Sequence, residues 1–274
     1  MSALRPGSGA GLTVPRALLL GGIQGPAEFL PVSSSAHLSL VPWFAGWRWD
    51  RLDPATRKDL GVAFHAGAAA ALLVGQRHAI VSELRRMDIR RVAAVALASA
   101  VPAAVGFALE RPIEDRLGGP KTIAAGLVVG AGAMVLADRK PQDRRPEQLD
   151  ALDGLALGAA QAAALFPGVS RTGATVAAAR WRRFTRREAA LLSRTVALPV
   201  VLGAAALRAR RMRRRRLAPE VQRGMAGGAL AAFASTLASQ RLIAVADRNG
   251  CAWPYAAYRL ALAGAIAVKL RRGG

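Results

Sequence analysis

Two stretches of this sequence place polar and ionisable side chains within apolar surroundings. Residues 24–38 read QGPAEFLPVSSSAHL and include Glu28 and His37, and residues 161–175 read QAAALFPGVSRTGAT and include Arg171. Arginine presents a planar fork that fits phosphate oxygens, and the backbone N–H groups at the start of a helix attract anions. The combination predicts a phosphate-binding site with a carboxylate and a histidine available for chemistry.

The first stretch is predicted to bind a divalent cation as well as phosphate. Gln24 and Glu28 are four residues apart, so they lie on one face of a helix and can point at one ligand, such as Mg²⁺ or Ca²⁺. Ser33 and Ser34 follow a proline and can begin the next helix. His37 is the acid/base candidate of this stretch.

The second stretch repeats the same arrangement of a loop followed by hydroxyl groups and a fixed cation. Ser170, Thr172 and Thr175 supply hydroxyl groups for phosphate around Arg171. A simpler interpretation is that the serines only cap helices and that Glu28 and Arg171 form a buried ion pair. Three ionisable groups in two similar apolar stretches favour function, because such groups are costly at membrane depth.

The distribution of charge along the chain predicts a membrane protein. The 274 residues are 53% hydrophobic, yet the formal net charge is +22. Residues 92–109, 122–137 and 224–240 carry no charge and are long enough to cross a hydrocarbon core of roughly 30 Å as helices. Arginine-rich connectors between them suit lipid headgroups. A nucleic-acid-binding protein, the other class with such a charge, rarely contains repeated uncharged blocks, so we expect no nucleic-acid partner.

The sequence predicts an all-α integral membrane protein that forms one membrane domain. Two segments, at 15–45 and 151–179, break at proline and serine residues and are predicted to be re-entrant helix hairpins, which lipid tolerates only beside protein or a watery cavity. We expect no cleavable signal peptide, because a polar motif follows the first apolar run. The blocks predicted to span the membrane are six: 60–76, 92–109, 121–137, 188–207, 224–241 and 252–269.

The two hairpins resemble each other at a constant offset of 137 residues, half the chain. At this offset Gln24 aligns with Gln161, and Ser33 aligns with Ser170. Each half, 1–137 and 138–274, holds one hairpin and three spans, an odd number, so the second half would insert upside down. The sequence therefore predicts an inverted repeat, an architecture that places a binding site near the membrane midplane.

The two polar stretches resemble the signatures of the BacA-type undecaprenyl-diphosphate phosphatases. Residues 24–37 are similar to the family's (Glu/Gln)-x-x-x-Glu-Phe-Leu-Pro-Val-Ser-Ser-x-x-His, and residues 167–175 to its Pro-Gly-x-Ser-Arg-Ser-Gly-x-Thr. Segments 64–67 and 254–259 also resemble the family, so the likeness covers nearly the whole chain. The resemblance implies a multi-pass enzyme of the bacterial cell membrane with its active site facing outside. It is also compatible with a homodimer, and the surrounding partners are membrane lipids.

The resemblance also implies an activity and roles for the motif residues. The family hydrolyses undecaprenyl diphosphate to the monophosphate and inorganic phosphate with a divalent cation, which recycles the lipid carrier for cell-wall synthesis and confers bacitracin resistance. Carried onto this sequence, the catalytic residues are Glu28, Ser34, His37 and Arg171, with Ser34 or an activated water as nucleophile. The alternative function is a lipid-phosphate transporter or flippase that binds the same headgroup without cutting it.

This sequence departs from the family pattern at four positions. Gln24 replaces a common glutamate, which removes one strong metal ligand, whereas Thr172 replaces a serine and keeps the hydroxyl. Ala36 replaces a common glycine. Arg194 lies inside the fourth predicted span where an aromatic residue is usual, and it either reaches toward the headgroups or faces a cavity. The only cysteine, Cys251, excludes an internal disulfide.

Overall fold

The computed structural model describes residues 11–212, 215, 217–249 and 251–272. Regular secondary structure in this part of the chain is helical, apart from one isolated bridge between Arg144 and Phe184. The prediction of an all-α protein is therefore confirmed. The helices are α1 Val14–Phe29, α2 Ser34–Phe44, α3 Pro54–Gly75, α4 Arg77–Arg85, α5 Ile89–Arg116, α6 Pro120–Asp138, α7 Ala151–Ala163, α8 Arg171–Trp181, α9 Arg186–Met212, α10 Pro219–Ala238, α11 Gln240–Asn249 and α12 Trp253–Arg272, with short 3₁₀ helices at Trp49–Arg51 and Pro146–Gln148.

Both predicted hairpins are pairs of helices that break where the sequence indicated. In the first, α1 ends at Phe29 and α2 begins at Ser34; in the second, α7 ends at Ala163 and α8 begins at Arg171. The second helices of the two pairs, α2 and α8, are each 11 residues long. Their first residues, Ser34 and Arg171, are separated by the same 137-residue offset that relates the sequence motifs. Re-entry into the membrane and the inverted orientation stay predictions.

Four helices of the described chain are long and apolar enough to cross a membrane. They are α3, residues 89–109 of α5, α6 and α9. The last two predicted spans are helical as α10 and α12, with 20 residues each. They fall outside that group of four: the start of α10 carries Glu220 and Arg223, and α12 contains Arg259. The number of six spans therefore stays a prediction.

The helices group into two compact units. The first combines the described parts of 1–28, 37–77 and 201–240, and the second combines 29–36, 78–200 and the described part of 241–274. This division follows packing, whereas the predicted halves follow chain order.

The first unit is built around close packing between α3 and α10. Phe64 of α3 is buried against Gly228 of α10, where a Cβ atom would collide with the aromatic ring. Gly67 of α3 similarly approaches the Ala229 carbonyl. Small residues let helix backbones approach closely, which suits association inside a bilayer. Leu20 and Leu60 belong to the same buried cluster.

A charged network holds the start of α3 in this unit. Asp53 caps the helix, because its Oδ1 accepts a hydrogen bond of 3.0 Å from the Thr56 N–H. Arg215 reaches the same carboxylate at 3.1 Å and also binds Asp59. Burial raises the pKa of Asp53, but the hydrogen bonds from Thr56 and the positive charge of Arg215 outweigh burial and hold that pKa below its ordinary value.

The second unit packs α5 against α7, and α6 against both α8 and α12. Gly154 of α7 approaches the Ala94 carbonyl of α5 so closely that no side chain fits between them. Arg180, at the end of α8, is 2% exposed and donates to the Phe184 carbonyl at 2.5 Å and the Lys140 carbonyl at 2.8 Å. This arginine therefore ties the loop after α6 to the turn after α8.

Candidate active site

Glu28 is the centre of a buried polar cluster in the first unit. Its Oε2 accepts a hydrogen bond of 2.9 Å from Nε2 of Gln24, one turn earlier in α1. Nε2 of His65, on α3, lies 3.1 Å from the same oxygen. Gln24 is 0% and Glu28 6% exposed, so the carboxylate is stabilised by these polar groups rather than by bulk water.

His65 is a site residue whose role was not predicted from the sequence. Its Nδ1 lies 2.6 Å from the Gly61 carbonyl oxygen. Because a carbonyl oxygen can only accept, Nδ1 carries a hydrogen, and Nε2 donates to Glu28 when the ring is protonated on both nitrogens. The available signal was a histidine inside an apolar span, where ionisable residues suggest function. The sequence could not show which carboxylate the ring would meet.

The Gln24–Glu28 pair has the chemistry of a partial cation site. Oε1 of Gln24 is buried and accepts no hydrogen bond from the described residues. Gln24 turns its amide nitrogen toward the carboxylate, and its oxygen is a further ligand of the type that Mg²⁺ and Ca²⁺ accept. Mg²⁺ is commonly bound through few protein oxygens plus substrate phosphates and water. No cluster of three or more His, Cys, Asp or Glu side chains suited to a metal occurs in the described chain. The pair therefore fits a cation that also needs oxygen atoms from the substrate.

The first hairpin break places the predicted hydroxyl groups at the start of α2. Ser33 has a φ of 73°, and its Oγ accepts a hydrogen bond of 3.4 Å from the Ala36 N–H. Ser34 is the first residue of α2, and His37 follows three residues later. Residues three apart on a helix share a face, so Ser34 and His37 lie on the same face of α2.

The second break repeats this geometry at the start of α8. Ser170 has a φ of 69°, and its Oγ accepts a hydrogen bond of 3.2 Å from the Gly173 N–H. Arg171 and Thr172 form the first turn of α8 and are partly exposed. A hydroxyl, a guanidinium and backbone N–H groups thus surround one helix N-terminus, which suits an anion.

Thr175 is bonded within its own helix. Its buried hydroxyl lies 2.8 Å from the Arg171 carbonyl oxygen and 2.6 Å from Oγ of Ser193. It thereby closes the first turn of α8 and links that turn to α9. In this arrangement Thr175 helps to hold the backbone of Arg171 in place. A direct hydrogen bond from Thr175 to phosphate, as predicted, requires the hydroxyl to leave one of these two partners.

A cavity in the second unit opens beside the first turn of α8. Thr172, Arg186 and Arg194 contribute polar atoms to its wall, and Phe29 and Tyr255 contribute aromatic rings. Arg194 therefore faces a cavity, which answers the question that the sequence left open for this residue. The remaining lining residues are Pro31, Met134, Asp138, Val176, Ala177, Ala190, Cys251 and Ala252.

The model of the family described as bacitracin resistance protein BacA matches residues 17–265, which include both helix breaks and the N-termini of α2 and α8. The chain belongs to the BacA family.

Named relatives of the chain agree with this membership. A protein of Geobacter sulfurreducens named undecaprenyl-diphosphatase is 36% identical over 269 residues, covering 93% of this chain and 97% of the relative. Proteins of the same name from Geobacter metallireducens and Moorella thermoacetica are 36% and 32% identical and cover 91% and 93% of this chain. The residues that match the family include both polar motifs, at 24–37 and 167–175.

Proposed function

We propose that this protein hydrolyses undecaprenyl diphosphate to undecaprenyl phosphate and inorganic phosphate. The observation that carries the proposal is BacA family membership, together with relatives named undecaprenyl-diphosphatase that match more than nine-tenths of the chain. The reaction recycles the lipid carrier for cell-wall synthesis. It also confers bacitracin resistance, because it removes the diphosphate lipid that the antibiotic sequesters.

The start of α8 is the part of the structure best suited to hold phosphate. Arg171 supplies a bidentate charge, Ser170 and Thr172 supply hydroxyl groups, and the first backbone N–H groups of the helix point toward an anion. Ser33 offers a matching hydroxyl at the start of α2. Phosphoryl transfer depends mainly on positioning and on neutralising charge, and these groups supply both.

The cation is proposed to bind at Glu28 and Gln24. When bound, a divalent cation would neutralise negative charge on the phosphate oxygens. The chain's own contribution is to hold the two oxygen ligands in place, Glu28 by the hydrogen bond from Gln24 and by contact with His65. The orphaned amide oxygen of Gln24 supports this assignment.

Two routes for the chemical step use the same residues. In the first, Oγ of Ser34 attacks the terminal phosphorus while His37 takes the hydroxyl proton. The bond from that phosphorus to the bridging oxygen breaks, undecaprenyl phosphate leaves, and water then cleaves the phosphoserine. In the second, water attacks the terminal phosphorus and His37 takes its proton, while the same bond to the bridging oxygen breaks and undecaprenyl phosphate leaves. Ser34 then only donates a hydrogen bond to phosphate.

The proposed setting is the bacterial cell membrane, with six spans, two re-entrant hairpins and an active site that faces outside. The helix breaks at Phe29–Ser34 and Ala163–Arg171 support the hairpins. Their common offset along the chain supports an internal repeat. The polyprenyl chain is proposed to lie along the apolar helices.

The function is tested by phosphate release from undecaprenyl or farnesyl diphosphate by the purified protein, with and without EDTA. We expect release that EDTA abolishes and added Mg²⁺ or Ca²⁺ restores. Tight binding of the diphosphate without release would favour the lipid-phosphate carrier instead. Arg171→Ala serves as the control for a contaminating phosphatase, because its preparation should release almost no phosphate.

A further inference from the structure

Arg259 is a fully buried arginine for which the proposed reaction has no role. It lies in α12 of the second unit and is 0% exposed. Its guanidinium donates hydrogen bonds of 2.6 Å to the Gly168 carbonyl and 2.6 Å to the Val169 carbonyl, and it contacts the Met134 sulfur at 3.1 Å. It forms no ion pair with a carboxylate of the described residues. A buried charge compensated only by neutral acceptors is costly, so a purely structural purpose is a poor explanation.

Two glycines leave a narrow space between helices, called the slot below, which the Arg259 guanidinium fills. A Cβ atom at Gly130 of α6 would collide with Nη2 of Arg259, and one at Gly173 of α8 would lie 3.0 Å from Nη1. Two glycines on different helices therefore leave room for one side chain. That side chain reaches the Gly168 and Val169 carbonyl groups. They lie immediately before Ser170 and the first turn of α8, which together are called the phosphate-binding turn below.

The hydrogen bonds of Arg259 fix the direction of the peptide group that precedes α8. The peptide group is planar and trans, so its C=O and N–H point in opposite directions. Arg259 holds the Val169 carbonyl and thereby directs the Ser170 N–H away from itself. Gly168 and Ser170 both have positive φ, at 94° and 69°. A non-glycine residue in this region is strained, so the turn depends on contacts that hold it.

We propose that Arg259 is the positioning residue of the phosphate-binding turn. It holds residues 168 and 169 so that the Ser170 N–H and the first turn of α8 face the terminal phosphate, and its fixed charge adds to the attraction for a multiply charged anion. The inference rests on the proposed function, because it concerns the same phosphate site. Arg259 does not touch the substrate itself.

The test compares Arg259→Lys with Arg180→Lys. Arg180 is also buried and donates to backbone carbonyl groups, but it faces the Asp138 carboxylate as well and lies at the other end of α8. Arg259→Lys should lower kcat about 10- to 100-fold with a smaller change in KM, because the polyprenyl chain supplies most of the binding of the whole lipid substrate. It should also remove most of the rise in melting temperature that inorganic pyrophosphate gives the wild type. Arg180→Lys should lower the melting temperature without ligand and leave kcat within about twofold.

Gly130→Ala provides a second variant, because it keeps Arg259 but places a Cβ atom against both Nη2 of Arg259 and the Val169 carbonyl, the two ends of the hydrogen bond that holds the turn. We expect the same fall in kcat, and this variant decides the matter if Arg259→Lys does not fold. A kcat above half of wild type in both variants, or equal kcat losses in the Arg259 and Arg180 variants, overturns the positioning role alone. If the wild type releases no phosphate but pyrophosphate stabilises it and not the Arg259 variant, the positioning role stands and hydrolysis fails. If pyrophosphate does not stabilise the wild type and no phosphate is released, both fail.

Discussion

Ser33 and Ser170 share one local conformation at equivalent positions of the two hairpins. Their φ angles are 73° and 69°, and the hydroxyl of each accepts from the backbone N–H three residues later, at Ala36 and Gly173. A positive φ strains a serine, and a glycine would adopt the same conformation without strain. A glycine would lack the hydroxyl that caps the next helix. Both breaks keep a serine in spite of the strain, which indicates that the hydroxyl groups themselves are needed where α2 and α8 begin.

Replacement of Arg171 should abolish turnover without unfolding the protein. Arg171→Ala is expected to lower kcat/KM about 10²- to 10³-fold, and Arg171→Lys should recover little, because a point charge does not replace a bidentate fork. Phosphate release and melting temperature are measured on the same preparation. Arg223→Ala, at an exposed position of α10, is the control. If Arg171→Ala loses melting temperature in parallel with activity, the arginine has a structural role instead.

The carboxylate of Glu28 should set the affinity for the divalent cation. Glu28→Gln removes the charge and keeps the shape, so the half-saturating Mg²⁺ concentration for phosphate release should rise about tenfold or more. Gln24→Glu adds the carboxylate that many family members carry and should lower that concentration. Cation titrations of phosphate release measure both effects. Two titrations that match the wild type would place the cation on the substrate phosphates alone.

His65 should act through Glu28 rather than on the substrate. His65→Gln keeps an N–H donor that can reach the carboxylate, whereas His65→Ala leaves a buried carboxylate with one hydrogen bond fewer. We expect the alanine variant to need about tenfold more Mg²⁺ for half-maximal release, and the glutamine variant to stay within about threefold of wild type. Equal behaviour of the two variants would contradict this role.

The Ser34–His37 pair should behave as one unit if Ser34 is the nucleophile. Ser34→Ala would then eliminate turnover, and adding His37→Ala would cost nothing more, because coupled residues give non-additive losses. A phosphoserine trapped by acid quench would be direct evidence. If water attacks instead, Ser34→Ala should retain a few per cent of the rate, on the order of 2 kcal/mol, and the two losses should multiply. Single-turnover rates of both single variants and the double variant separate these outcomes.

Asp53 should make part of the protein's stability sensitive to acid. Its folded-state pKa lies below the ordinary value, so its contribution is complete above the unfolded-state pKa of about 3.9 and is lost as pH falls through the lower folded-state pKa. Asp53→Asn keeps a capping side chain but removes the charge that faces Arg215. The melting temperature of wild type should exceed that of the variant at neutral pH. A difference that persists unchanged well below pH 4 would contradict this account.

The sequence predicted local features of the fold better than contacts between distant residues. The helix breaks after Phe29 and before Arg171 follow from proline, glycine and serine residues near them, and the motif residues follow from their spacing. The contact between His65 and Glu28 joins two helices, so it depends on packing that no short pattern encodes. For the same reason the bonds of Thr175 to Ser193 and of Arg259 to the Val169 carbonyl were not predicted.

The close approaches of glycines between helices determine which mutations this protein can accept. Gly67 and Gly154 each face a backbone carbonyl of a neighbouring helix with no room for a methyl group. A helix backbone cannot move aside as a flexible side chain can, so even alanine at these positions should separate two helices. By contrast, Leu230 and Val129 are 69% and 65% exposed and can exchange with any apolar residue that lipid accepts. Sequence change in this chain is therefore restricted most strongly at its smallest residues.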